Sequence, residues 1–184
     1  MSNPPAPENM LPNVVIVRHL ICPLALMQVA RYDKDMLTEL SNTDALKISC
    51  DALAHGVNMK SAMAGGIARE IAKMYPRAEQ LYNLCCNEER ARLGGVFACD
   101  INSGEEEGPY RLYNLFTQIE PGRDARITAL EVSVNRMHDM AVGAGVETIA
   151  MPRIGCGIGG LDWEDVKPIL TAASGNLNFI VCTL

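Results

Sequence analysis

The sequence predicts an α/β fold, a mostly parallel sheet held between two layers of helices. Three observations carry that prediction. Apolar stretches of strand length alternate with stretches of helical period along the chain. Two of the strand-like stretches end in glycine-rich loops that open into helices, at residues 58–68 and 151–163. The chain has 184 residues and 48% hydrophobic content, with no repeat and no internal domain boundary, which suits one full core.

Taken in order, residues 1–12 are punctuated by Pro4, Pro5, Pro7 and Pro12 and show no periodicity, so a disordered tail is expected there and a single domain over 13–184. Residues 14–20 read as a strand and residues 24–30 as a second, opened by Pro23. Residues 33–37 follow at that strand's end, and 41–44 read as a loop or a cap. Residues 49–57 read as a central strand that ends near Asn58. A helix is expected at about 67–74, interrupted by Pro76 and resumed over 78–86. Residues 94–98 and 110–117 read as two strands of a hairpin with an acidic tip at 103–108. Residues 124–140 form the longest amphipathic pattern, with Ile127, Leu130, Val134, Met137 and Met140 on one stripe and Gly143 and Gly145 at its end. Residues 146–151 read as a buried strand. Asp162 is expected to cap a last helix over 163–173, with an acidic first turn (Glu164, Asp165) and a kink or early stop at Pro168. Residues 178–184 read as a closing strand.

Charge and composition exclude several functions. The formal net charge of −6 argues against general nucleic-acid binding, which needs a basic field. The apolar run at 14–27 is broken by Arg18, His19 and Pro23, so neither a membrane span nor a signal peptide is expected. Seven cysteines, an odd number without a C-x-x-C pair, suit reduced thiols in the cytoplasm. The three histidines (His19, His55, His138) are scattered, and neither a metal site nor a cofactor is expected.

The two glycine loops carry the chemistry. Strand, glycine loop and helix together build an anion cradle: N–H groups converge where no Cβ intervenes, and the helix N-terminus adds positive potential. Gly155, Gly157 and Gly160 match the letters of the dinucleotide pattern G-x-G-x-x-G. Only residues 161–184 follow, too few for the rest of a dinucleotide fold. A P-loop is excluded as well, since no Gly-Lys-Ser/Thr follows.

Residues 51–58 (Asp-Ala-Leu-Ala-His-Gly-Val-Asn) running into Met63-Ala64-Gly65-Gly66-Ile67-Ala68, together with residues 152–163, resemble the macrodomain, a module that binds ADP-ribose. The likeness runs from about residue 26 to 184. It is strongest to the branch containing terminal ADP-ribose protein glycohydrolase, the toxin-reversing bacterial macrodomains and the yeast ADP-ribose-1''-phosphate phosphatase. The resemblance implies a three-layer α/β/α sandwich and the following placements. Asp35, beside Met36, would accept from the adenine amine. Ala64, Gly65, Gly66 and Ile67 of loop one would wrap the diphosphate. Gly155, Cys156, Gly157, Ile158, Gly159 and Gly160 of loop two would close round it. Thr117 would line the cleft, and Asn58 would face the distal ribose. His55 matches the catalytic histidine of the yeast phosphatase, and a Cys156–His55 nucleophile pair is conceivable. The glycohydrolase's lysine–aspartate pair has no counterpart, its aspartate falling at Gly159. The implied partner is ADP-ribose or an ADP-ribosylated substrate. The implied activity is removal of ADP-ribose from ester-modified protein or from nucleic acid; the alternatives are a phosphatase on ADP-ribose-1''-phosphate and a non-catalytic reader.

Overall fold

The computed structural model describes residues 37–102 and 108–184 of the chain. The strands expected at 14–20 and 24–30, the site residues Asp35 and Met36, and residues 103–107 of the hairpin tip lie outside these. Six strands form one sheet: β1 (Leu37–Ser41), β2 (Ala52–Val57), β3 (Val96–Asp100), β4 (Arg111–Phe116), β5 (Thr148–Pro152) and β6 (Asn178–Thr183). Their spatial order is β1-β6-β5-β2-β4-β3. All neighbours are parallel except β3 and β4, which form the expected antiparallel hairpin pair. Four helices cover the sheet: α1 (Gly66–Met74), α2 (Pro76–Asn87), α3 (Ile127–Gly143) and α4 (Trp163–Ser174).

Helices on both faces explain why β2 reads as continuous apolar sequence rather than as an alternation. Ala52 and Ala54 join the core under α3 and α4, with Leu130, Val134, Met137, Val166 and Leu170. Leu53 and Val57 join the core under α1 and α2, with Ile71, Ala78, Tyr82 and Cys85. Truncating a side chain as deeply buried as Met137 would cost roughly 2–5 kcal/mol, because the cavity left behind could collapse only in part. At the amino end of the sheet one carboxylate fixes the β2–β5 register: Asp51 Oδ2 accepts from Glu147 N, Thr148 N and Thr148 Oγ1, each at 2.9 Å.

Several elements differ from the sequence reading, each for a local reason. β1 was not anticipated, because Glu39 stands in its middle. That carboxylate is held by Lys167 Nζ at 2.6 Å, Arg153 Nη2 at 3.3 Å and Trp163 Nε1 at 3.2 Å, so a charge is tolerated on an edge strand. α2 begins at Pro76 itself, since a proline at the first helical position loses no hydrogen bond. α3 begins at Ile127 and not at Asp124, whose carboxylate is engaged by Ile119 N at 2.9 Å and Glu120 N at 3.0 Å in the preceding loop. Met140 is off the apolar stripe and 41% exposed; the buried position one turn beyond Met137 is Ala141. Asp162 occupies the N-cap position of α4 without a side-chain capping bond. Pro168 neither stops nor shortens α4, which runs on to Ser174. Asp44, expected in a loop or cap, accepts from Leu46 N at 3.1 Å and caps a short 3-10 turn, Ala45–Lys47.

Because five strands run parallel, their carboxyl ends share one edge of the sheet. The loops after β2, β4 and β5 gather there, the usual position for a ligand in an open α/β sheet.

Candidate functional site

Loop one follows β2 and is organised by Asn58, a buried residue. Its Nδ2 donates to Ala62 O at 2.7 Å. Its Oδ1 accepts from Lys60 N at 2.8 Å, Ala62 N at 3.3 Å and Tyr82 Oη at 3.1 Å. Tyr82 Oη lies 2.8 Å from Asn58 O as well, which ties the strand end to α2. Ser61 sits in the left-handed region (φ 56°), and its Oγ donates to Asn87 Oδ1 at 3.3 Å. The amide of Asn58 thus turns into loop one and shapes it. Beyond it Met63 is buried, Ala64 is exposed, and Gly65 and Gly66 open α1, with Ile67 in its first turn. Gly66 has φ +56°, which favours glycine there. The first-turn N–H groups of α1 have no partners within the helix.

Loop two follows β5 and is built from backbone. Leu161 N donates to Gly155 O at 2.9 Å, Gly160 N to Gly157 O at 3.2 Å and Cys156 N to Arg153 O at 3.0 Å. The N–H groups of Gly157, Ile158 and Gly159 donate to no acceptor among the described residues. A Cβ on Gly155 would stand 2.7 Å from Leu161 Cδ1, and one on Gly160 would run into the side chain of Arg123. Gly157 is different: no atom of the described residues lies within 4 Å of where its Cβ would be.

The two loops meet. A Cβ on Gly65 would stand 2.8 Å from Ile158 Cδ1, and one on Gly66 3.8 Å from the same atom. Ile158, 59% exposed, therefore reaches from loop two across the glycines of loop one.

A third loop, residues 117–126, completes the rim and was missed in the sequence except for Thr117. Met59 N donates to Ile119 O at 3.1 Å, and Ala125 N to Gly159 O at 3.2 Å, so this loop braces both glycine loops. Pro121-Gly122 was the available signal, with Gly122 at φ +104°. Thr117 is fully buried; its Oγ1 lacks a partner among the described residues and stands 2.9 Å from the position of a Cβ on Gly56.

His55 and Cys156 are not brought together. His55 shares its face of β2 with Leu53 and Val57, toward α1 and α2, whereas Cys156 packs against the core under α3 and α4. His55 is fully buried, its Nε2 2.8 Å from Asn114 Oδ1, and its Nδ1 has no partner among the described residues. Burial pulls its pKa down to about 4, so the ring is neutral at neutral pH. Burial also raises the Cys156 thiol, opposed by the charge of Arg153, so that thiol is not activated. The nucleophile pair considered from the sequence is not formed. No group of three His, Cys, Asp or Glu among the described residues could hold a metal ion.

What the site offers chemically is unpaired backbone N–H groups from two adjoining loops and a helix N-terminus, the features of an anion-binding cleft. A family comparison agrees with this geometry. The Macro domain family model matches residues 54–170, so the chain belongs to the Macro domain family. Among individual relatives, the DNA ADP-ribosyl glycohydrolase of Mycobacterium tuberculosis is 28% identical over 130 residues, which is 71% of this chain and 36% of the relative; the chain thus spans about a third of that protein's length. The human ADP-ribose glycohydrolase OARD1 is 28% identical over 120 residues, 65% of this chain and 72% of the relative. The ADP-ribose 1''-phosphate phosphatase of Candida albicans is 28% identical over 140 residues, 70% of this chain and 85% of the relative. Among solved structures, the macrodomain of Mycobacterium tuberculosis DarG superposes with a TM-score of 0.73 at 25% identity, covering 81% of this chain and 98% of that one.

Proposed function

We propose that this protein binds ADP-ribose in the cleft between its two glycine loops and hydrolyses it from a modified partner, an ester-linked protein side chain or a nucleic acid. The observation that carries the reading is the meeting of the loops at Ile158 over Gly65, with unpaired N–H groups on loop two. A diphosphate fits such a cradle by charge and by shape. Relatives named as ADP-ribosyl glycohydrolases support hydrolysis as the reaction.

With His55 neutral and buried and Cys156 unactivated, no titrating side chain is assigned to the chemical step. Loop one and a substrate phosphate oxygen orient the attacking water. The backbone N–H groups stabilise the charge that develops as the acceptor leaves. Asn58 acts by holding loop one in shape, as a positioning residue. Asp35 and Met36 are assigned to the adenine end on the family resemblance. Residues 13–184 are taken as one domain, and the six described cysteines, all free, support a reducing, cytoplasmic setting.

The phosphatase reading rests on His55 and on the Candida relative. A fully buried histidine has no access to a phosphate, which counts against it. The deciding experiment incubates the protein with Glu-linked ADP-ribosyl peptide, with ADP-ribosylated oligonucleotide and with ADP-ribose-1''-phosphate. Free ADP-ribose from either of the first two is expected. Inorganic phosphate from the third alone would establish the phosphatase, and binding without any product would leave a reader.

A further inference from the structure

Beside edge strand β3, the segment following α2 and the outer face of α3 line an open cavity of about 520 Å³. Arg90 and Arg92 line it from one side and Arg136 from the other, while Val96, Phe97 and Met140 supply apolar lining at the sheet edge. Asp139 is the one acid in the lining among the described residues. Three guanidinium groups around one cavity are unexpected on a chain of net charge −6. Each has one or two partners among the described residues. Arg90 Nε pairs with Glu88 Oε2 at 2.9 Å, Arg92 Nη1 donates to Glu89 O and Ala91 O, and Arg136 Nη1 donates to Gly94 O at 3.0 Å. Each guanidinium has five N–H donors, so each keeps donors in reserve. The proposed hydrolysis uses none of them.

The lining defines its ligand. A guanidinium fork matches phosphate oxygens, and an aromatic wall takes the face of a base. A free inorganic anion would leave the apolar lining unfilled, and an acidic side chain would leave Phe97 unused. Position adds to this. Phe116, the last residue of β4, also lines the cavity, and the next residue, Thr117, lies beside Gly56 below the cleft. β3 stands two strands from β2, roughly 10 Å at the usual strand spacing. A group in the cavity and an ADP-ribose in the cleft can therefore belong to one molecule.

We infer that this cavity is a second binding site, holding one nucleotide of a single-stranded nucleic acid whose neighbouring, ADP-ribosylated nucleotide occupies the cleft. The inference rests on the reading of the cleft as an ADP-ribose site. It does not conflict with the acidic net charge, because the basic groups are confined to one cavity.

The test uses the full chain and a fluorescein-labelled, unmodified thymidine oligomer, read by fluorescence anisotropy across a salt series. The double variant Arg90→Gln/Arg92→Gln should bind it about tenfold more weakly, for want of charge-assisted hydrogen bonds. Its log–log salt slope should shrink by about 0.7 for each phosphate that is no longer neutralised. Phe97→Leu should weaken binding with the slope unchanged, since stacking releases no counterions. Calorimetry with free ADP-ribose reports the cleft alone and should be the same in all three proteins. Failure of the wild type to bind ADP-ribose would remove the cleft reading itself. With ADP-ribose binding intact, any of three results overturns the inference: no wild-type affinity for the oligomer, an unchanged affinity and slope in the double variant, or displacement of the oligomer by a polyglutamate peptide as readily as by unlabelled oligomer.

Discussion

In loop one a single side chain does the organising: the amide of Asn58 bonds to Lys60, Ala62 and Tyr82, and the chain needs no glycine until Gly65. In loop two the backbone organises itself, with Gly155 O accepting from Leu161 N and Gly160 N reaching back to Gly157 O. The first design is sensitive to loss of polar atoms. The second is sensitive to gain of atoms, position by position: intolerant at Gly155 and Gly160, where a Cβ meets neighbours, and tolerant at Gly157, where it meets none. A loop of the second kind can be blocked without being unfolded, whereas a loop of the first kind loses shape and function together.

That difference gives an ordered set of expected outcomes. Gly157→Glu should abolish ADP-ribose binding, at least a hundredfold or about 2.7 kcal/mol, by placing a carboxylate among N–H groups that would otherwise hold an anion. Its thermal midpoint should stay near the wild type, since the added side chain points into open space. A large fall in calorimetric melting temperature would show that loop two is as brittle there as elsewhere. Asn58→Ala should lower both quantities at once, by roughly 2–3 kcal/mol in urea unfolding, because Tyr82 Oη and two backbone N–H groups lose an acceptor. Loss of binding at full stability would instead make Asn58 a direct ligand contact.

His55 supplies a smaller and pH-dependent effect. Its folded pKa of about 4 lies below the ordinary 6.5, so below that value the unfolded chain takes up a proton that the folded chain refuses. Stability is complete above about pH 6.5 and falls as the pH drops toward 4, by roughly 2 kcal/mol at about pH 5. Urea midpoints at neutral pH and near pH 5 measure it, and His55→Gln should flatten that part of the profile. Smallest of all is Cys156→Ser. With its thiol unactivated, ADP-ribose release should stay within about twofold of the wild type. A hundredfold loss in a single-turnover assay would restore the thiol as a nucleophile.

Much of the layered fold was legible because strands covered on both faces and helices with an apolar stripe leave period signals, as in β2 and α3. What escaped had local causes. β1 carries Glu39, whose partners Arg153, Trp163 and Lys167 lie more than a hundred residues away, so nothing nearby marks it as a strand. The glycine clusters announced two loops of the site. The brace at 117–126 did not show, because Ala125 and Arg123 matter only by lying beneath Gly159 and Gly160. Nor could spacing reveal that His55 and Cys156 serve opposite faces of the sheet; that requires the register of β2 against β5 and the core that each face joins. The arginine cavity was invisible for a related reason, since Arg90 and Arg136 come from different elements.

The place of β6 between β1 and β5 bears on how the molecule comes to exist at all. Thr38 Oγ1 meets Asn178 Oδ1 at 3.4 Å across 140 residues of chain. During synthesis β1 therefore waits without a sheet neighbour among the described strands until β6 has left the ribosome, and β5 too keeps its β6-facing edge bare until then. Such late, long-range closure is slow and leaves strand edges open to wrong partners. A nascent chain stalled just short of Asn178 should hold its β2–β4 ladder yet remain prone to aggregate, and emergence of β6 would convert it to a closed sheet.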